Sequence, residues 1–161
     1  MELPDFHIPH LEKIEWMIET NGWALESVAS NVDQIQPSPA YSYTLGLPVL
    51  LGFPEIAIFG IKPAAAMGLI GLVIEHLRNE TEVPVGVELL GLLDNGLRCM
   101  FAVIDDELAR VQFATATAWY KGETYPVAQM YYPDRNGFMP YEDGFDARMR
   151  HAQPLIGTVP S

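Results

Sequence analysis

The chain of 161 residues is poor in three things at once: it has one cysteine, nine lysines and arginines together, and no long hydrophobic run. Cys99 alone cannot close an internal disulfide, so the sequence is not a stapled secreted scaffold, and a paired-cysteine metal site is excluded. The longest apolar stretch, residues 63–74, is twelve residues long. A membrane span needs roughly 18–20, so this stretch reads as a buried helix. Against the nine cations stand twenty-one Asp and Glu, for a formal net charge of -12. Phosphate affinity comes from clustered Lys and Arg, and here they are few and scattered, so nucleic acid and anionic membrane surfaces are disfavoured as partners. The start, Met1-Glu2-Leu3-Pro4-Asp5, lacks the basic and apolar regions of a signal peptide, which together with the lone cysteine points to the cytoplasm.

What is abundant is apolar: 49% of the residues are hydrophobic, enough for one core. The expectation is a single domain over residues 1–161, with an N-terminal helix within 1–21, an α+β core over 22–132 and a C-terminal arm over 133–161. Leu11, Ile14, Met17 and Ile18 recur at helical spacing, with Pro9 suited to a first turn and Asn21-Gly22 to an end. Short alternation over 23–30, the β-formers of 40–45 and the run 55–60 predict three strands, the last two as antiparallel neighbours across a loop carrying Pro48, Gly52 and Pro54. Pro63 opens a helix to about Asn79 that is apolar nearly all round. Gly68 and Gly71 inside it suggest close approach to a neighbouring element.

Asp94-Asn95-Gly96 between 85–93 and 97–104 predicts a tight hairpin. Asp105-Asp106-Glu107 start a third helix that Lys121-Gly122 end, because negative charge suits a helix start and glycine its end. Residues 125–132 return to strand, a turn follows at 133–137, and the remainder is an irregular arm. Such an order lacks regular βαβ alternation, so the fold class is α+β, with a mainly antiparallel sheet and about three helices.

Recognisable catalytic patterns are scarce. No glycine-rich phosphate loop or Gly-x-Ser-x-Gly elbow occurs. His7 and His10 sit near the first helix without the spacing of a metal motif, Glu75-His76 suits a helix end, and Cys99 in its predicted strand suits packing. The acids Asp134, Glu142, Asp143 and Asp146 lack the pattern of a calcium loop and read as a solvated arm. More informative are eight aromatics between 119 and 145, five of them tyrosines, interleaved with Pro126, Pro133 and Pro140. Such rings either present a contact surface or pin the arm to its own domain, and the second reading is favoured because an irregular arm must bury something to stay ordered.

Longer strings carry a resemblance. Tyr43-Thr44-Leu45-Gly46-Leu47, Pro54-Glu55-Ile56-Ala57-Ile58-Phe59-Gly60, Pro126-Val127-Ala128-Gln129, the run from Tyr132-Pro133-Asp134-Arg135-Asn136-Gly137 to Tyr141, and Gln153-Pro154-Leu155 together resemble the bacterial family called domain of unknown function 4262. The likeness covers residues 22–155. Phe53 stands where the family often has histidine, and Tyr132 and Tyr141 stand where it commonly has tryptophan. The resemblance implies no particular activity. It does single out Tyr43, Thr44, Glu55, Gln129, Tyr132, Asp134, Tyr141 and Gln153 as candidate ligand- or partner-binding positions, although each can equally satisfy backbone groups, which is the favoured account.

Two functions follow as expectations. The first is a non-catalytic interaction or regulatory protein that uses the Tyr/Pro-rich C-terminal surface to meet a protein partner or a second copy of itself. The alternative is a small-molecule-binding or enzymatic domain, since the opening helix, three strands and helix are loosely like flavin-binding split barrels. No cofactor is predicted; flavin and a divalent metal stay open, the first weakened by the scarcity of Lys and Arg.

Overall fold

Alternation along five short strands builds a sheet with two buried faces. The computed structural model describes residues 10–31 and 37–160. Helix α1 (His10–Asn21) leads into β1 (Ala24–Val28) and β2 (Tyr41–Leu45). Short helix α2 (Leu47–Leu51) precedes β3 (Glu55–Phe59) and the long α3 (Pro63–Arg78). Then come β4 (Met100–Val103), the helices α4 (Asp106–Gln112) and α5 (Ala114–Trp119), and β5 (Val127–Tyr131). The strands lie in the order β1-β2-β3-β5-β4. All neighbours are antiparallel except β3 and β5, which run parallel with Glu55 opposite Val127. This is the mainly antiparallel α+β architecture that the sequence predicts. No described helix is long and apolar enough to cross a membrane.

Ile56, Ile58, Phe101, Ala128 and Met130 point to one face and meet Ala66, Ile70, Val73 and Ile74 of α3. Tyr43, Leu45, Ala57, Phe59 and Val127 point to the other and meet Ile14 of α1, Ala109 of α4, and Phe113 and Ala116 at α5. Each fully buried Ile or Phe here contributes about 1.5–3 kcal/mol, so both faces are needed. The outer edge of β4 is covered: the Phe101 carbonyl accepts from Gly86 N at 2.7 Å and the Val103 carbonyl from Thr158 N at 2.9 Å. An open edge would invite pairing with another chain.

Several expectations are corrected. The loop over 46–54 holds α2, because Gly46 and Gly52, both at positive φ, turn the chain on either side of Leu47, which is buried. The third helix is two: Phe113, at φ -111 and ψ 73, breaks it and drops its ring into the core. Residues 94–96 do turn tightly, but 85–93 forms no regular strand; Gly86 and Gly91 at positive φ bend it, and the expected hairpin ladder is reduced to the Leu89–Cys99 bridge and the bond from Gly86 N to the Phe101 carbonyl. Helix α3 buries one face rather than all of its surface, leaving Met67 48% exposed. Gly68 and Gly71 face open space, not a closely approaching element. The predicted helix start at Pro9 and the partner His7 lie outside the described residues.

The arm over 133–160 is irregular apart from one turn of 3-10 helix at Ala147–Met149, yet it is tightly seated. Two glycines make room for it. A Cβ on Gly157 would sit 2.5 Å from the Ala102 carbonyl oxygen, and one on Gly60 would sit 2.8 Å from that of Ala152. Gly60 is also at φ +88, where side chains are strained.

Candidate functional site

The two ends of the β2–β3 pair differ in chemistry. At one end Glu55, buried on the first residue of β3, accepts hydrogen bonds from Gly46 N at 2.8 Å, Leu47 N at 3.2 Å, Thr44 Oγ1 at 2.9 Å and the Tyr120 hydroxyl at 2.5 Å. Thr44 Oγ1 in turn accepts from Ile56 N at 2.8 Å. One carboxylate thus ties together the start of α2, the start of β3 and the end of α5. Burial pushes the Glu55 carboxyl above its ordinary range, outweighing the donors from Tyr120, Gly46, Thr44 and Leu47 that pull it down. The Tyr120 phenol is raised by burial and by the facing carboxylate.

The other nominated residues are placed apart from this pair. The Tyr43 hydroxyl accepts from Thr115 N at 3.2 Å, and burial pushes its phenol up to about 12. Gln129 donates to the Pro154 carbonyl at 2.7 Å and accepts from Ile156 N and Gly157 N at 3.0 and 2.9 Å. Gln153 pairs with both backbone groups of Tyr132, whose hydroxyl donates to the Phe59 carbonyl at 2.6 Å. Asp134 accepts from Asn136 N, Phe138 N and Asp146 N. Its lost solvation raises the carboxyl, but these amides outweigh that and hold it below the ordinary value. The Tyr141 hydroxyl donates to Glu88, which also meets Arg98; Arg98 reaches Glu142 at 2.5 Å. The structure brings Thr44 to Glu55 and Tyr132 to Gln153, sets Tyr43 between the sheet and α5, and spreads Gln129, Asp134 and Tyr141 along the arm. They do not converge on one concavity. Every described buried side-chain nitrogen or oxygen has a partner.

The opposite end of β2–β3 is open. A cleft of about 600 Å³ lies where β1 ends, β2 begins and β3 runs through Gly60 into α3, with His151 and Ala152 of the arm closing one side. That volume is within the roughly 300–1,000 Å³ of small-molecule pockets. Val28, Pro39, Ala40, Tyr41, Ile61 and Pro63 make the walls apolar. The strand register sets Ser27 opposite Ser42, and their hydroxyls share a hydrogen bond of 2.8 Å. Ser30 and Ser38 add two more hydroxyls. Tyr41 braces the base: its ring stacks on Phe59 at 5.0 Å and its hydroxyl donates to the Gln112 carbonyl at 2.9 Å. Lys62, the residue capping α3, is the cationic side chain at the rim, the imidazole of His151 stands there too, and no described lining residue is acidic.

Sequence reasoning missed this site. Its polar residues are common serines whose meaning depends on register: only pairing β1 with β2 sets Ser27 beside Ser42, and only the folding back of the arm brings His151 to the cleft that Lys62 lines. The available signal was Gly60-Ile61-Lys62-Pro63, a strand-to-helix turn of the kind that often borders a ligand.

The remaining candidates resolve into packing and pairing. His10 is bonded to Glu26 at 2.5 Å. Cys99 is buried, which pushes its thiol up to about 11 and leaves it unreactive at neutral pH. Among the described residues, no three His, Cys, Asp or Glu side chains are grouped as a metal site.

Comparison with known proteins adds one match: a family described as domain of unknown function (DUF4262) matches residues 17–146. No curated protein and no solved structure matches the chain.

Proposed function

The chain belongs to this family of unknown function, and from that premise we propose that it is a small-molecule-binding domain whose ligand occupies the cleft at the Tyr41–Gly60 end of the sheet. The observation that carries the reading is the cleft itself: about 600 Å³, apolar on its walls, with hydroxyls at its floor and a lysine and a histidine at its rim. A concavity with few, convergent polar groups is how proteins bury and orient a small ligand. Binding is favoured over catalysis. The two floor hydroxyls bond to each other, and among the described residues no histidine or carboxylate is bonded to either to activate it.

The Tyr/Pro-rich arm is less suited to a partner. Tyr125, Tyr131 and Phe145 are buried, Tyr132 and Tyr141 spend their hydroxyls inside the molecule, and only Phe138 of the eight aromatics is strongly exposed, at 42%. Those rings hold the arm to the core, and the arm supplies one wall of the cleft.

The test is a fragment screen by protein-observed NMR on the wild type and on Ala29→Trp, which fills the cleft from an exposed lining position and leaves the Ser27–Ser42 bond in place. Wild-type hits should move amides around the cleft. The variant should keep its melting temperature within about 2 °C, as surface substitutions generally do, and lose those hits. Hits that bind both proteins equally would defeat the proposal.

A further inference from the structure

Resting on that reading, the lining also specifies a ligand class: we infer that the cleft takes an amphiphilic organic monoanion, an apolar body ending in a carboxylate. The body follows from the walls, where Val28, Pro39, Ala40, Ile61 and Pro63 offer only hydrocarbon. The charge follows from contrast. The chain carries twenty-one acids and nine Lys and Arg, yet the described lining of this cleft holds Lys62 and His151 and no acid. Charges beyond about 8 Å are largely screened at physiological ionic strength, so the rim rather than the net charge decides what the cleft attracts.

The sign and number of charges are both constrained. A phosphate ester is generally held by bidentate arginine or several aligned donors, and no arginine is among the described lining residues. A single flexible ammonium on a four-carbon stem suits one carboxylate. The hydroxyls of Ser30 and Ser38 can complete its hydrogen bonds, while the Ser27–Ser42 pair gives the floor a polar end without a fixed charge.

Octanoate, octanamide and octylamine share one body and differ in the head, so they separate charge from burial. Each is titrated into the labelled full chain while the amides of Ser27, Val28, Ile61 and Ala152 are followed, and the titrations are repeated on Lys62→Glu and, as a control for net charge, on Lys13→Glu. Both lysines are exposed, so neither substitution threatens the fold. Octanoate should bind about fivefold tighter than octanamide, the size expected of one exposed ion pair, and the advantage should shrink with added salt. Lys62→Glu should reverse the order in favour of octylamine, and Lys13→Glu should leave it unchanged. Equal affinities, or octylamine preferred by the wild type, would overturn the anion assignment and leave the cleft reading standing. Absence of binding by all three would also overturn the assignment, whereas the cleft reading falls only if the fragment screen leaves the same amides unmoved.

Discussion

The two ends of the β2–β3 pair use polar side chains in opposite ways. Around Glu55 four donors converge on one buried carboxylate, and the result is a knot joining α2, β3 and α5. At the other end Ser27 and Ser30 are exposed beside an open volume, with Ser42 buried beneath its partner Ser27, and lysine and histidine at the rim are exposed. The difference separates scaffold from site: a buried polar group whose bonds are all made inside the chain has nothing left for a ligand, however unusual its environment. Perturbed acidity alone would have pointed to Glu55 and Tyr120, the wrong end of the sheet for binding.

The strongest way to break this contrast is to cut the knot. Glu55→Ala strips acceptors from four donors, and leaving buried donors unpaired costs about 1–3 kcal/mol each, so a loss of at least about 3 kcal/mol is expected. That corresponds to a melting temperature about 10 °C lower for a chain of this size, read by calorimetry, whereas Ala29→Trp at the other end should scarcely move it. Equal losses at both ends would erase the distinction.

Next in size is the seam. Gly157→Ala forces a methyl group against the Ala102 carbonyl oxygen, which cannot yield as a flexible side chain would. The expected cost is about 1–3 kcal/mol in urea denaturation, with faster exchange of the Gly157 and Thr158 amides.

Much of the architecture was legible because it is written locally. Proline at 63, glycine at 46 and 60 and the β-formers of 40–45 and 55–60 mark element ends and strands, so the α+β class and the three opening strands could be read directly. The hairpin misled because Asn95-Gly96 specifies a turn but not the pairing of its arms, and Gly86 and Gly91 override the strand propensity around them. Gly68 and Gly71 misled because a helical glycine looks the same whether it meets a neighbour or solvent. For the candidate site, the family motifs drew attention to Glu55, Gln129, Asp134 and Gln153, whose geometry is that of clamps on the backbone. The cleft depends on register and on the return of the arm, and neither is encoded in any short string.

A smaller effect sharpens the comparison by its sign. Glu55 has its carboxyl raised in the fold, so its titration favours the native state below the ordinary carboxylate range, and that contribution is lost as pH rises through the folded value. Asp134 has its carboxyl lowered, so its contribution is present above the ordinary range and is lost as pH falls through the folded value. The stability gap between wild type and Glu55→Gln should therefore narrow from pH 4 towards neutrality, in wild type's disfavour, while the gap to Asp134→Asn should widen over the same span. Parallel trends would mean that the two carboxyls are not set by burial and by amide donors, respectively.

The smallest expected change is a gain. Gly68→Ala adds a methyl group into open space on α3 and should stabilise by about 0.5–1 kcal/mol, through lost freedom of the unfolded chain. A loss would place a neighbour where the structure has none.

Most direct for the central claim is the pattern of amide shifts when fragments are titrated into the wild-type chain. Binders should move Ser27, Val28, Tyr41, Ser42, Ile61 and Ala152 as one cluster and leave Thr44, Gly46, Glu55 and Tyr120 in place. Shifts centred on the Glu55 end, or on the arm around Asp134 and Tyr141, would contradict it.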